Sequence, residues 1–246
     1  MPDKVSHSSA LSPPSSVAAT LSPPTRVLSP PLDLVPADTP PCLFDSAISY
    51  FSSVPWCAAL INDYSPSRGP LPGHGQAIGF ISQSFNPVDP RHDHSDNCEG
   101  EGSRGPPLKH MLCLFRPSDA LQTRDPSRPI LRVATLFALG DGTSGHGGIM
   151  HGGLVATILD ESLGAINELN TALGKKGGVF SSSHVTGSLS IKFLAPVATS
   201  ENAICVTSWM ERVQGRKSVI KAEIINAVGE KLAMAESIWI AVEPRL

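Results

Sequence analysis

The chain has 246 residues and a formal net charge of −3, and 17% of its residues are charged. This length allows one or two domains, and the slightly acidic balance excludes the basic surface that attracts nucleic acid or anionic membranes. The five cysteines are odd in number, widely spaced and form no CxxC pair, which is typical of reduced thiols rather than of disulfides. No apolar run approaches the roughly 18 residues of a membrane span. We therefore expect an intracellular protein with no nucleic-acid partner and no membrane span.

Residues 1–41 are rich in proline and serine, and LSPP occurs in them three times, at Leu11–Pro14, Leu21–Pro24 and Leu28–Pro31. Proline removes backbone donors and disfavours helix, so we predict a disordered tail. This tail has no apolar segment of the kind found in secretory signals. We therefore expect a cytoplasmic protein, with a mitochondrial location as the alternative.

Apolar and aromatic residues from Leu43 to Tyr64 recur at roughly helical spacing and are interrupted by Pro55. This pattern predicts two short helices that pack on the main domain, in an N-terminal extension over residues 42–66.

Residues 67–108 return to glycine, proline, histidine and aspartate, which predicts a flexible insertion. Within it, His92, His94 and Cys98 could ligate zinc, but no fourth ligand stands at a fixed spacing. A polar loop without metal is therefore the favoured interpretation.

Residues 109–246 alternate strand-like segments with one helix. Gln214-Gly215 and Gly229-Glu230 predict tight reversals, and period-two alternation is visible in TGSLSI (186–191) and AMAESIWI (233–240). These features favour an antiparallel sheet. The strand-like segments are residues 110–115, 130–139, 184–197, 203–213, 217–228 and 231–243.

The helix is predicted over residues 152–169. Its apolar residues occupy an arc too wide for a surface helix, so it should be buried on most sides. A long central helix wrapped by an antiparallel sheet of five to six strands is the hotdog fold, an α+β architecture. We predict this fold for residues 109–246.

Asp160 lies in this helix among Ile158, Leu159 and Leu163. Removal from water raises the pKa of a carboxyl group, which suits a general base or a nucleophile. The alternative is a structural aspartate that faces a polar pocket.

Directly upstream, His151, Gly152 and Gly153 open the helix. The first N–H groups of a helix are unpaired donors at the positive end of its dipole, so these glycines could polarise a carbonyl and hold an oxyanion. A flexible turn is the alternative for the glycines, and His151 could either contact substrate or brace the loop.

Gly152 and Asp160 are eight residues apart, which is roughly 12 Å along one helix. An oxyanion donor and a nucleophile must meet at one carbonyl carbon. Two antiparallel helices related by a two-fold axis could satisfy this requirement, so we predict active sites shared across a homodimer.

The spacing of HGG, of Asp160 nine residues after His151, and of Thr186 ten residues before Pro196 resembles the PaaI-like hotdog acyl-CoA thioesterases. The resemblance covers about residues 109–243. It implies hydrolysis of an acyl-CoA thioester in a homodimer or a dimer of dimers, without a cofactor. Asp160 would then activate water or attack the thioester, the Gly152 N–H would polarise the carbonyl, and Thr186 would orient the water or the carboxylate.

Four further residues are charged or polar candidates near this site: His146, Glu161, Arg216 and Lys217. Many relatives carry Asn or Gln where this chain has Gly145, and the adjacent His146 could substitute in contacting substrate. Arg216 and Lys217 are candidates for binding the CoA phosphates, although charges in hairpins are usually only solvated. Glu161 points about 100° away from Asp160 and is not expected to be a second catalyst.

Competing functions remain open. The GxGxxG match at residues 140–145 is not followed directly by a helix, and the strands downstream form hairpins, so a dinucleotide site is disfavoured. No GxSxG elbow supports a serine hydrolase. Hotdog proteins also include enoyl-thioester hydratases or dehydratases, and a non-catalytic acyl-CoA-binding module is a further alternative.

Overall fold

The computed structural model describes residues 26–36, 39, 42–62, 76–82, 107–180 and 183–242. These ranges contain three α-helices: α1 (Cys42–Ser53), α2 (Pro55–Asn62) and α3 (Gly152–Ala172). The strands are β1 (Val27–Leu28), β2 (Ile78–Ser82), β3 (Leu108–Phe115), β4 (Arg132–Leu139), β5 (Ser144–His146), β6 (Ile149–Met150), β7 (Ser183–Phe193), β8 (Ala203–Gln214), β9 (Lys217–Ile225) and β10 (Lys231–Val242).

Eight of these strands form one antiparallel sheet in the order β1-β2-β3-β4-β8-β9-β10-β7, and β5 pairs with β6 in a separate hairpin. All six strand-like segments predicted from the sequence are present. The two predicted reversals are also confirmed, since Gly215 and Gly229 adopt φ values of 59° and 80° between β8, β9 and β10. The sheet is larger than the predicted five to six strands because β1 and β2 from the N-terminal region extend it.

Helix α3 packs along one face of this sheet, which we call the inner face. Its apolar residues from Val155 to Leu169 are almost fully buried against β4, β8, β9 and β7. Gly164 permits the closest approach, since a Cβ atom there would lie only 2.8 Å from the ring of Trp239 on β10. A long helix held against an antiparallel sheet confirms the predicted hotdog architecture. Within the described ranges, no helix is long and apolar enough to cross a membrane.

Helices α1 and α2 pack against the opposite face of the sheet, which we call the outer face, at β3 and β4. Successive residues of a strand point to opposite faces. Leu112 and Leu114 therefore meet α1 and its neighbours, while Cys113 between them joins the core beneath α3. Burial on both faces explains why these two strands are continuous apolar runs rather than alternating ones.

The third LSPP motif is ordered, although the whole of residues 1–41 was predicted to be a disordered tail. Val27 and Leu28 are buried and pair with β2, which itself lies inside the predicted insertion. Pro30 begins a short 3-10 turn, where its missing N–H leaves no bond unmade. The other two LSPP motifs and the candidate zinc ligands of the insertion lie outside the described residues.

Candidate active site

The first turn of α3 is fixed by His151. This residue is the N-cap of the helix, and its Nδ1 accepts a hydrogen bond from the Gly153 N–H at 3.1 Å. The backbone N–H of His151 in turn donates to the Thr143 carbonyl at 3.1 Å. His151 thus braces the loop onto the helix, which is one of the two roles expected for it. The Gly153 N–H already has a partner in this arrangement.

Gly152 supplies the first N–H of α3, a group that a helix cannot satisfy internally. The backbone around it is crowded, since a Cβ atom at Gly145 would lie 2.9 Å from the His151 Cα. An Asn or Gln side chain at position 145 would therefore displace the residue that caps α3. Glycine at position 145 thus permits the close packing of the β5–β6 hairpin against the start of the helix.

Asp160 lies two turns further along α3 and is half-buried. Its Oδ1 accepts a hydrogen bond from the Thr186 hydroxyl of β7 at 2.9 Å. Burial raises the pKa of the Asp160 carboxyl, the bond from Thr186 lowers it, and the neighbouring charge of Glu161 raises it again; the net direction is upward. A carboxylate with a raised pKa accepts a proton more readily than an ordinary surface aspartate.

A β-bulge brings Thr186 to this carboxylate. In the pairing of β7 with β10, Ser188 lies opposite Ile238 and Thr186 lies opposite Trp239, so Gly187 is the extra residue. The alternation read from the sequence would place Thr186 on the face opposite Leu189. That reading is wrong across the bulge, because the extra residue shifts the register by one and turns both side chains towards α3.

Glycine is required at the bulge for steric reasons. A Cβ atom at Gly187 would lie 2.8 Å from the Ile240 side chain and 3.2 Å from the Ile238 carbonyl oxygen. Sequence reasoning missed the role of this residue. A glycine inside a strand is itself a signal for a bulge or a close backbone approach.

An open cleft of about 290 Å³ adjoins the start of α3, with Gly152 in its wall. Sequence reasoning did not anticipate it, because its wall combines the helix start with the chain that follows β7. The apolar residues that form most of this wall include Ile149, Met150, Val155, Phe193, Leu194 and Val197.

The other predicted site residues lie apart from the Asp160–Thr186 pair. His146 is exposed in the β5–β6 hairpin. Arg216 and Lys217 are exposed at the β8–β9 reversal, where Lys217 aligns through β10 with Val185 of β7. They are thus two strand spacings, roughly 10 Å, from β7. Glu161, one residue beyond Asp160, influences it through charge.

The segment that carries these groups matches a known family. Residues 147–233 match the model of the thioesterase superfamily. The predicted family resemblance is confirmed over this segment. The thioesterase segment begins just before the His151 cap and includes Gly152, Asp160 and Thr186, and it ends within β10.

Individual relatives of this thioesterase segment are distant. Verlamelin biosynthesis protein B of a Lecanicillium species is 26% identical over 158 residues, which cover 56% of this chain and 68% of that protein. The Escherichia coli PaaI protein is 14% identical, with a TM-score of 0.38, over 46% of this chain and 73% of the other. A Bacillus halodurans protein crystallised with CoA is 20% identical, with a TM-score of 0.39, over 46% of this chain and 70% of the other. The match of residues 147–233 to the thioesterase superfamily supports thioester hydrolysis or a related hotdog activity.

Proposed function

We propose that this protein hydrolyses an acyl-CoA, or a similar acyl thioester, to the free acid and the thiol. The observation that carries the proposal is the hydrogen bond of 2.9 Å between Thr186 and a carboxylate of raised pKa, within the thioesterase segment. The sequence resemblance to acyl-CoA thioesterases supplies the substrate class. No cofactor or metal is needed for this chemistry.

In the proposed reaction, Asp160 accepts a proton from a water molecule whose oxygen attacks the thioester carbonyl carbon. Thr186 fixes the orientation of the carboxylate through its donated hydrogen bond. The Gly152 N–H holds the oxyanion, which on collapse breaks the carbon–sulfur bond, and the proton passes to the departing thiolate. Direct attack by Asp160 would instead give an anhydride that water then cleaves, with the same groups in place.

Gly152 and Asp160 of one chain are too far apart to act on one carbonyl, since the helix separates them by roughly 12 Å. We propose that each site pairs the Asp160 of one protomer with the Gly152 of its partner. A two-fold axis that sets two α3 helices antiparallel brings the start of one beside the middle of the other, and it creates the site twice.

Strand β7 is the surface that supports this dimer. It is 11 residues long, mostly exposed, and the last strand of the sheet among the strands that the structure describes. An edge strand of this length presents a row of backbone donors and acceptors to another chain. A second β7 would pair with it antiparallel and cover exposed apolar side chains such as Val185. Pairing at β7 also sets Thr186 and Asp160 beside the partner.

Other predicted residues have supporting roles in the proposal. His151 keeps the first turn of α3 closed through its bond with the Gly153 N–H. Arg216 and Lys217 are exposed cations that would bind the phosphates of CoA in solvent, where each contact contributes little.

The test is thiol release from a panel of acyl-CoAs by the wild type and the Asp160→Asn variant. We expect kcat to fall about a thousandfold in the variant while acyl-CoA binding is retained, because the side chain keeps its shape but loses its basicity. Equal rates for the two proteins would remove Asp160 from the mechanism. Binding without turnover by the wild type would identify a binding module, and addition of water to an enoyl-CoA would identify a hydratase.

A further inference from the structure

The cleft beside Gly152 has a composition that restricts what it can bind. Its wall is built from aliphatic and aromatic side chains together with backbone. A charged or hydroxylated group placed there would lose its hydration without finding a partner on a side chain. The volume of about 290 Å³ lies at the lower end of the range for small-molecule pockets.

The cleft is continuous with the proposed oxyanion donor, since Gly152 belongs to both. A thioester carbonyl held at the Gly152 N–H carries sulfur on one side and the acyl group on the other. The sulfur side must extend to solvent, because CoA is long and charged. The acyl group is therefore the part of the substrate that lies in the apolar cleft.

Phe193, at the end of β7, lines this cleft together with Gly152. Its ring carbon Cζ is 3.7 Å from the position that a Cβ atom at Gly152 would occupy, so the ring lies directly beside this residue. The side chain is also 57% exposed, and with the exposed Ile149 and Leu194 of the same cleft it forms an apolar patch of the kind that a ligand or a partner covers.

Resting on the proposed function, we infer that Phe193 determines substrate specificity and that the substrates are apolar acyl groups unbranched next to the carbonyl. The ring occupies the space beside the carbonyl rather than the far end of the cleft. It therefore excludes a branch at the first acyl carbon, while straight chains pass along it.

The experiment compares kcat/KM for butyryl-CoA, isobutyryl-CoA and malonyl-CoA. The first two differ only by the branch, and malonyl-CoA replaces the terminal methyl group of butyryl-CoA by a carboxylate. We expect the wild type to prefer butyryl-CoA over each of the others by at least about tenfold. Phe193→Ala should raise the isobutyryl-to-butyryl ratio by about tenfold and leave the malonyl discrimination in place.

Phe193→Leu should give an intermediate isobutyryl-to-butyryl ratio. It keeps the inference testable if the alanine variant does not fold. Met234→Ala is the matched control, because Met234 is an exposed apolar residue of the neighbouring strand, opposite Lys192 on the outer face. It should leave both ratios unchanged.

Dissociation constants of the same three thioesters for the Asp160→Asn variant, with and without Phe193→Ala, keep this inference separate from the hydrolytic proposal. A binding preference that Phe193→Ala relaxes would support the inference even if the wild type released no thiol. Unchanged ratios in both measurements would overturn it. A change in sedimentation without a change in the ratios would also overturn it, by assigning Phe193 to the subunit interface.

Discussion

The outer face of the sheet, where α1 and α2 pack, is held by close contacts among side chains such as Phe44, Phe51 and Leu136. On the inner face, the apolar core also holds a half-buried acid, a threonine and a strand bulge. An ionisable group on a core helix lowers stability, so its presence there indicates a functional role. The outer face therefore contributes mainly to stability and the inner face also carries the proposed chemistry. Substitutions on the two faces should have separate effects on folding and on catalysis.

The largest effect should come from the outer face. Phe51 belongs to α1 and is fully buried in the outer-face core, so Phe51→Ala should lower the free energy of unfolding by about 3–5 kcal/mol. Urea unfolding measures this loss. The kcat of the folded variant should equal that of the wild type, and a parallel loss of kcat would show that the outer face also shapes the site.

On the inner face, Gly152→Pro should lower kcat by about 10²–10³ with little change in stability. Proline removes the N–H but suits the first helical position, and His151 already has the extended ψ of 133° that a following proline favours. Gly152→Ala is the matched control, because it keeps the N–H and its Cβ atom would meet only Phe193 at 3.7 Å. Equal losses in both variants would assign the effect to the side chain instead of the donor.

A smaller effect is expected at Thr186. Its hydrogen bond lowers the pKa of Asp160, so Thr186→Ala should raise that pKa further. The acidic limb of the kcat profile should move to higher pH, because the deprotonated carboxylate is the active form, and kcat should fall about tenfold. Thr186→Ser should restore both. A tenfold loss with an unshifted profile would indicate a packing role only.

The sequence predicted some features of the inner face and not others, and the neighbouring strands β10 and β7 show why. The alternation in β10 holds from Ala233 to Trp239, so Ala235 and Trp239 both point inwards. In β7 the same rule fails at Gly187, because a bulge depends on a close approach to Ile240 that local periodicity does not encode. Asp160 could be found from the sequence as an acid in an apolar helix.

The outer face was predicted only in part. Two helices were expected from their spacing, and both are present. The pairing of Val27–Leu28 with β2 was not expected, because it joins two short apolar segments that lie within sequence rich in proline, glycine and polar residues. Long-range pairing of this kind depends on tertiary contacts rather than on local propensity.

The smallest effect concerns Glu168, which lies where α3 meets β2. Ser82 at the end of β2 donates to its carboxyl at 2.6 Å, and burial raises the pKa of Glu168 to about 7. An acid whose pKa is raised on folding contributes stability below its unfolded pKa of about 4.5, and this contribution is lost as the pH rises through about 7.

Glu168→Gln should therefore raise the melting temperature by several degrees above pH 8 and have little effect at pH 5. Melting curves across this range test the expectation. A variant that is less stable at every pH would show that the charged form is the one stabilised.

The central claim is that each site joins the Asp160 of one protomer to the Gly152 of its partner. The most direct measurement mixes the inactive Asp160→Asn and Gly152→Pro variants, allows subunits to exchange, and follows thiol release. A heterodimer of these variants has one site with both groups intact, so the equimolar mixture should recover about a quarter of the wild-type rate. No recovery, after exchange has been verified by mass, would contradict the shared site.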